Sequence, residues 1–333
     1  MTSHRAEAPT LRAQATLRTQ ALRVDYPIPD GMAAAVRDVS LSVGAHECLG
    51  VVGESGSGKT QLFLAVMGLL PDAARVAGSV SFEGKEILGL APDELNRIRG
   101  SRLSMVFQDP MMSLTPHLKI GVQLAEVLVH HRGVSWRDAK LTALRALDRV
   151  RIPDPQRRLR QYPHELSGGM RQRVMIGMSL LCEPALVIAD EPTSALDVTV
   201  QARILELLRD LRAETGISIV LISHDLGVVA SLADRVAVMY AGRVVESAPA
   251  EDLMRRARHP YSALLMQCVA DLRQPRTDRM PFLAGQAPGA AEPERGCAFA
   301  PRCPRSTERC ASERPALEDV GAASQVACHH PLP

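Results

Sequence analysis

Eight residues, GESGSGKT from Gly53 to Thr60, bring three glycines, two serines, a lysine and a threonine together in an order suited to holding a polyphosphate. Gly53, Gly56 and Gly58 let the backbone N–H groups of the loop, those of Glu54, Ser55 and Ser57 among them, turn inward around phosphate oxygens. Lys59 reaches the outer phosphates, and Thr60 offers its hydroxyl to Mg²⁺. Lysine occurs only four times in the chain, and Lys59 is one of the four. The competing reading is a chance glycine turn. Against it stand the apolar strand-like run ECLGVVG before the loop and the helical stretch KTQLFLAVMGLL after it.

A phosphate cradle alone hydrolyses nothing. The run LVIADEP supplies two adjacent carboxylates at the end of a buried strand-like segment. Asp190 is placed to hold the hydration shell of Mg²⁺, and Glu191 to take a proton from an attacking water. A third set of reactive groups gathers late in the chain, where Cys297, Cys303, Cys310 and Cys328 account for four of the seven cysteines. Their spacing, C-x5-C-x6-C-x17-C, lacks the close CxxC pairs of a zinc ribbon. Four thiolates can still hold tetrahedral zinc or an iron–sulfur cluster, and unliganded thiols packed in a small cap are the plain alternative.

The bulk properties bound these readings. At 333 residues, 46% of them hydrophobic, the chain can build one large core or two modest ones. A formal charge of +2 lacks the basic excess of a nucleic-acid binder, so no nucleic-acid partner is expected. The N-terminal residues lack the apolar segment of a signal peptide, and no run approaches the roughly 18 apolar residues of a membrane span. A reducing compartment is therefore expected, in which clustered thiols suggest metal before disulfides.

The elements that must position these groups follow from patterning. Residues 1–20 read as a flexible leader. A strand-like, turn-rich segment from Leu22 passes through the turn PIPDG. The strand, glycine loop and helix around Lys59 form the opening unit of a parallel α/β fold. A helical middle is expected over about 91–182, then a buried strand ALVIADEP, an amphipathic helix VQARILELLRDLRAETG and a second buried strand ISIVLISHD. The fold class is thus α/β: a P-loop NTPase core with an N-terminal antiparallel β edge, an inserted helical subdomain and a cysteine-containing C-terminal extension. The boundaries read from this are a nucleotide-binding domain over 21–255 and an extension over 256–333. The basic runs RRLR at Arg157–Arg160 and RRAR at Arg255–Arg258 read as solvated faces.

Between the phosphate loop and the acid pair stands ELSGGMRQRV, Glu165 to Val174. Taken with VFQDP, SALD and LISHD in their order along the chain, it resembles the ATP-binding cassette (ABC) family. The resemblance implies that Gln108 is the glutamine that reaches the Mg²⁺ site, that Asp197 of the D-loop SALD belongs to the nucleotide site, and that His224 contacts the γ-phosphate. It also places Tyr26 where an aromatic stacks on adenine. SGG opens a helix, so Ser167 with the N–H groups of Gly168 and Gly169 forms an anion site, which in this family faces ATP held by a second cassette.

The segments AGRVVESAPAEDLMRRARHPYSALLMQCV, GCAFAPRCPRSTERC and VACHH further resemble the C-terminal region of dipeptide and oligopeptide importer ATPases. That resemblance implies ATP hydrolysis powering peptide import from the cytoplasmic face of the cell membrane, as a peripheral subunit. The implied partners are a second, non-identical ATPase, two permease subunits and an extracytoplasmic substrate-binding protein, with a permease helix beside Gln108 to Thr115. It favours a 4Fe-4S cluster on the four late cysteines, with zinc as the alternative. Because that tail is remote in sequence from the ATP motifs, its role is expected to be structural. Import of nickel or another small solute, and control of a soluble partner outside transport, are the alternative functions.

Overall fold

Cys48–Val52, Leu103–Val106, Leu186–Asp190 and Ser218–Ile222 are short segments in which every residue is buried. Such runs need cover on both faces, which a parallel sheet between helical layers provides. The computed structural model describes residues 15–194, 196–267, 285–292 and 295–333. Its strands in chain order are β1 (Leu17–Ile28), β2 (Gly31–Val43), β3 (Cys48–Val52), β4 (Arg75–Phe82), β5 (Lys85–Glu86), β6 (Leu103–Val106), β7 (Leu186–Asp190), β8 (Ser218–Ile222), β9 (Arg235–Tyr240), β10 (Arg243–Pro249), β11 (Glu318–Gly321) and β12 (Ser324–Val326).

Two sheets result. A four-stranded sheet of order β2-β1-β4-β5 is antiparallel throughout and forms the expected N-terminal edge. An eight-stranded sheet of order β11-β12-β10-β9-β3-β8-β7-β6 is parallel from β9 to β6 and antiparallel from β9 to β11. Alternation along its strands divides the interior in two. Val187 and Ala189, with Ile219 and Leu221, face one core; Leu186 and Ile188, with Val220 and Ile222, face the other. The first core is covered by the helical insertion and the C-terminal region, and the second by the helix Lys59–Met67 and the antiparallel sheet.

The insertion is built from the helices Ile120–Arg132, Trp136–Arg149 and Gly168–Leu180. In the second of these Ala139, Ala143 and Leu147 are buried at four-residue spacing, and Ser135 caps the first turn by accepting from the Asp138 N–H.

Three boundaries shift from the sequence expectation. β1 begins at Leu17, within the stretch expected to be leader, because Leu17 and Leu22 both enter the core with no exposure, a register shift between Thr19 and Leu22 taking up their odd spacing; residues 1–14 lie outside the described residues. The helical middle is interrupted by β6, a four-residue strand too short to show a period and paired with β7. The C-terminal extension is not set apart from the core either. β12 pairs with β10, so the tail adds a hairpin to the edge of the central sheet.

One glycine in the sheet is a packing requirement. A Cβ on Gly50 of β3 would stand 2.2 Å from Cγ1 of Val229 and 3.1 Å from Cβ of Ala233, where the helix Leu226–Leu232 crosses the strand. Gly50→Ala is therefore expected to destabilise the fold by about 1–3 kcal/mol, read as a lowered Tm in thermal denaturation. An unchanged Tm would show that the helix does not bear on the strand.

Candidate active site

The phosphate loop leaves β3 at Gly53 and enters the helix Lys59–Met67 through Gly58, whose left-handed φ of 96° makes it the N-terminal cap. Gly53 has φ 153°, and a Cβ there would meet the carbonyl oxygen of Met239 at 2.1 Å, so no other residue fits. Lys59 is 6% exposed and closes back on the loop. Its Nζ donates to the carbonyls of Gly53 and Glu54, both at 2.8 Å, and to Ser57 Oγ at 3.3 Å. Burial lowers its pKa, against the pull of the Glu191, Asp190 and Glu54 carboxylates.

The acid pair converges on the same place. Thr60 Oγ1 donates to Asp190 Oδ1 at 3.2 Å, bringing together the hydroxyl and the carboxylate expected to serve Mg²⁺. Asp190 is 3% exposed, and burial raises its pKa, opposed by the Thr60 hydrogen bond. This donor set suits Mg²⁺, which keeps much of its water and takes one or two protein oxygens beside phosphate. Glu191 adopts φ 45° and donates its N–H to the Ile222 carbonyl at 2.9 Å. That turn aims its carboxylate away from the strand and toward His224, whose Nδ1 lies 2.9 Å from both Glu191 oxygens.

A cavity of 310 Å³ lies over these groups and is lined by Ser55, Gly56, Gly58, Lys59, Thr60, Gln61, Gln108 and Glu191, among others. Larger cavities between the antiparallel sheet and the C-terminal region lack this convergence of groups. Gln108, just past the end of β6, is exposed and reaches the cavity wall. Tyr26 stands one step back: its hydroxyl bonds to Gln61, and burial raises its pKa.

The signature residues lie elsewhere on the surface. Ser167 caps the helix Gly168–Leu180 by accepting from the Met170 N–H, and Ser167, Gly168 and Gly169 do not line the cavity. A Cβ on Gly169 would meet Val200 Cγ1 at 2.6 Å, so the signature helix presses on the helix Val198–Thr215. Asp197 caps that second helix, its Oδ1 accepting from the Val200 N–H at 3.0 Å. Ala195, within SALD, lies outside the described residues.

Sequence reasoning missed a group of residues from the far end of the chain. Pro288, Gly289 and Ala290 line the cavity mouth, and the Ala34 N–H donates to the Ala290 carbonyl at 2.9 Å. The Arg37 guanidinium donates to the carbonyls of Ala290 and Glu292. Arg302 makes a two-pronged ion pair with Glu54 in the phosphate loop, at 2.9 Å for each bond. No signal in the sequence paired these segments. The tail, remote in sequence from the ATP motifs, thus touches the phosphate loop in space through Arg302.

The four late cysteines lie in one small cap. The Cys297 N–H donates to the Cys310 carbonyl, Cys310 is buried, and Cys297, Cys303 and Cys328 are partly buried. All four are free thiols. Burial pushes Cys328 up to about 11, and the neighbouring Cys297, Cys303 and Cys310 act in the same direction. Nearness stops short of a formed site: among the described residues, no group of three or more histidine, cysteine, aspartate or glutamate side chains is arranged to hold a metal ion. His329 and His330 are engaged with the Glu313 carbonyl and the Thr307 hydroxyl.

The ABC transporter family matches residues 36–194, and the oligopeptide/dipeptide transporter C-terminal region matches residues 245–310. The oligopeptide transport ATP-binding protein OppD of Escherichia coli is 48% identical over 96% of this chain and 95% of its own length. Its namesake from Haemophilus influenzae is 49% identical over 87% of this chain and 89% of its own. Among solved structures, a dimeric bacterial ABC transporter cassette aligns with a TM-score of 0.64 at 27% identity, covering 70% of this chain and 98% of that one. A cassette from Clostridium perfringens, part of an ABC transporter complex, aligns at 0.62 and 27%, covering 73% and 91%.

Removing the Lys59 ammonium tests the cradle directly. Lys59→Met is expected to cost roughly 2 kcal/mol of charge-assisted hydrogen bonding to phosphate, or a roughly thirtyfold weaker Kd for MgATP by isothermal titration. Undiminished affinity would remove Lys59 from the nucleotide site.

Proposed function

The chain belongs to the ABC transporter family, in its oligopeptide-transport ATP-binding branch, and on that premise we propose that it hydrolyses ATP to power the import of oligopeptides through a membrane complex. The observation that carries the reading is the meeting of Lys59, the Thr60–Asp190 pair and Glu191 at one cavity. The cargo rests on the close similarity to oligopeptide ATPases over nearly the whole chain; nickel import and a role outside transport are not favoured.

The residues divide the work as follows. The loop amides beyond Glu54, whose own N–H is held by the Tyr261 hydroxyl, bind phosphate oxygens, and Lys59 exchanges its carbonyl partners for the outer phosphates. Thr60 and Asp190, with Gln108 at the wall, would hold Mg²⁺, which would supply positive charge to offset the charge developing on the phosphates. Glu191 accepts a proton from the attacking water as the water oxygen bonds to phosphorus and the bond to the ADP oxygen breaks. His224 holds the Glu191 carboxylate until the γ-phosphate arrives and then turns to it, a movement its exposed position allows. Tyr26, beside Gln61, takes the adenine face.

A second cassette completes the site. Ser167, Gly168 and Gly169 stand away from their own cavity on an exposed helix start, where they fit a partner's γ-phosphate. Val198, next to Asp197, is 82% exposed, which supports an interface there. Exposed Phe107 and Met111 flank Gln108 and give a permease helix an apolar seat. Among the described residues no helix is long and apolar enough to cross a membrane. By the likeness to oligopeptide transport ATP-binding proteins, we propose that the chain sits peripherally on the cytoplasmic face, with a non-identical ATPase, two permease subunits and an extracytoplasmic binding protein.

The cap thiols are assigned a 4Fe-4S cluster, with zinc as the alternative. The support is their gathering in one cap, where the Cys297 N–H donates to the Cys310 carbonyl.

Two measurements test these assignments. Glu191→Gln should bind MgATP while hydrolysis falls about 10²- to 10⁴-fold; undiminished turnover would refute its role as base. Anaerobic purification with iron, sulfide and zinc analysis should return about four irons per chain, lost in Cys303→Ser. Stoichiometric zinc, or no metal in an intact fold, would replace the cluster assignment.

A further inference from the structure

Glu54 is an awkward residue to find in a loop that must receive a polyphosphate, since its carboxylate carries the same sign as the ligand. Its surroundings answer the difficulty. Arg302 grips the carboxylate with two parallel bonds of 2.9 Å, and the arginine side chain is only 6% exposed. The guanidinium is fixed in turn. Its Nη1 donates to the Tyr240 hydroxyl at 3.2 Å, and its Cζ stands 5.8 Å from the Tyr240 ring centroid and 5.9 Å from that of Phe299. A second hold acts on the backbone of the same residue: the Glu54 N–H donates to the hydroxyl of the fully buried Tyr261 at 2.9 Å.

These anchors are themselves packed together. Tyr240, Tyr261 and Phe299 form a cluster with ring centroids 4.6 to 5.4 Å apart, joining the end of β9, the helix Pro260–Gln267 and the cysteine cap. Arg302 sits in the short turn Ala300–Arg302, between Cys297 and Cys303. The cap therefore ends in a guanidinium aimed at the phosphate loop.

We propose that Arg302 is a positioning residue for nucleotide binding: it neutralises Glu54 and pins it away from the triphosphate, so that the C-terminal extension sets the affinity of the phosphate loop. The inference rests on the ATPase reading given above. Without Arg302 the carboxylate is released beside the incoming phosphates and repels them, more strongly for ATP than for ADP because ATP carries more charge. The loss falls on binding and not on the chemical step, since the Glu191 carboxylate is held by His224 while Arg302 and Glu54 hold each other.

The test compares the full-length chain with Arg302→Met, Glu54→Gln and the double variant, using fluorescent mant-ATP and mant-ADP with Mg²⁺ and steady-state ATPase kinetics. Arg302→Met should raise the Kd for mant-ATP about tenfold, within the usual range for coupling between sites, with a smaller rise for mant-ADP. KM should rise while kcat at saturating ATP is kept, the pattern of lost uniform binding. Adding Glu54→Gln should restore the affinity, because the repelling charge is gone; a residue that mattered only for folding would not be rescued in this readout. Unchanged affinity in Arg302→Met would overturn the proposal, and so would a loss that Glu54→Gln fails to reverse. If Arg302→Met does not fold, Arg302→Gln gives the same comparison, removing the charge while keeping a polar side chain, and unchanged affinity there, or a loss that Glu54→Gln fails to reverse, would also overturn it. Failure of the unsubstituted chain to bind either nucleotide would instead sink the ATPase reading itself.

Discussion

Ile222 is the register point from which the site is built. On one side it pairs with Val51 of β3, on the other with Asp190 of β7. The phosphate loop, the acid pair and the His224 turn therefore leave the sheet at one edge and at one height. The ladder continues a step beyond the strands, with the Glu191 N–H donating to Ile222 and the Ser223 N–H to Val51. A slip of one residue would exchange every side chain between the two cores. Because both faces of these strands are buried, both cores resist that slip, and the catalytic geometry inherits their rigidity.

Burial acts on the site charges in opposite directions and toward the same end. It lowers Lys59 and raises Asp190, moving each toward its neutral form, while their nearness to one another works against the shift. Each charged or polar group is meanwhile satisfied internally. Lys59 has loop carbonyls, Asp190 has the Thr60 hydroxyl and Glu191 has His224. These are the bonds that a polyphosphate and its cation would replace.

The C-terminal extension reaches this arrangement by two routes. Through β12 it extends the central sheet, and through Tyr261, Phe299 and Arg302 it packs against the end of β9 and holds Glu54. Aromatic residues make up 3% of the chain, and three of them are gathered in this cluster. Pro288 to Ala290 bring the same region to the cavity mouth. An element that reads in sequence as an appendage is thus part of the wall and the support of the nucleotide site.

What the sequence determined by itself lies in contiguous stretches. The eight residues of the phosphate loop, the Asp190–Glu191 pair, the Ser167 cap before an apolar helix and the fully apolar strands each carry their reason within a few positions, where backbone propensity and side-chain chemistry act locally. Tertiary structure alone decided which of these stretches meet. Thr60 bonds to Asp190 across 130 positions and Arg302 to Glu54 across 248. It also decided that β6 interrupts the helical middle, and that the thiol cap lies against the ATP loop. No periodicity encodes such meetings: strand order and the packing of two cores on one sheet bring distant residues together, and those long-range contacts form only when the whole sheet is assembled.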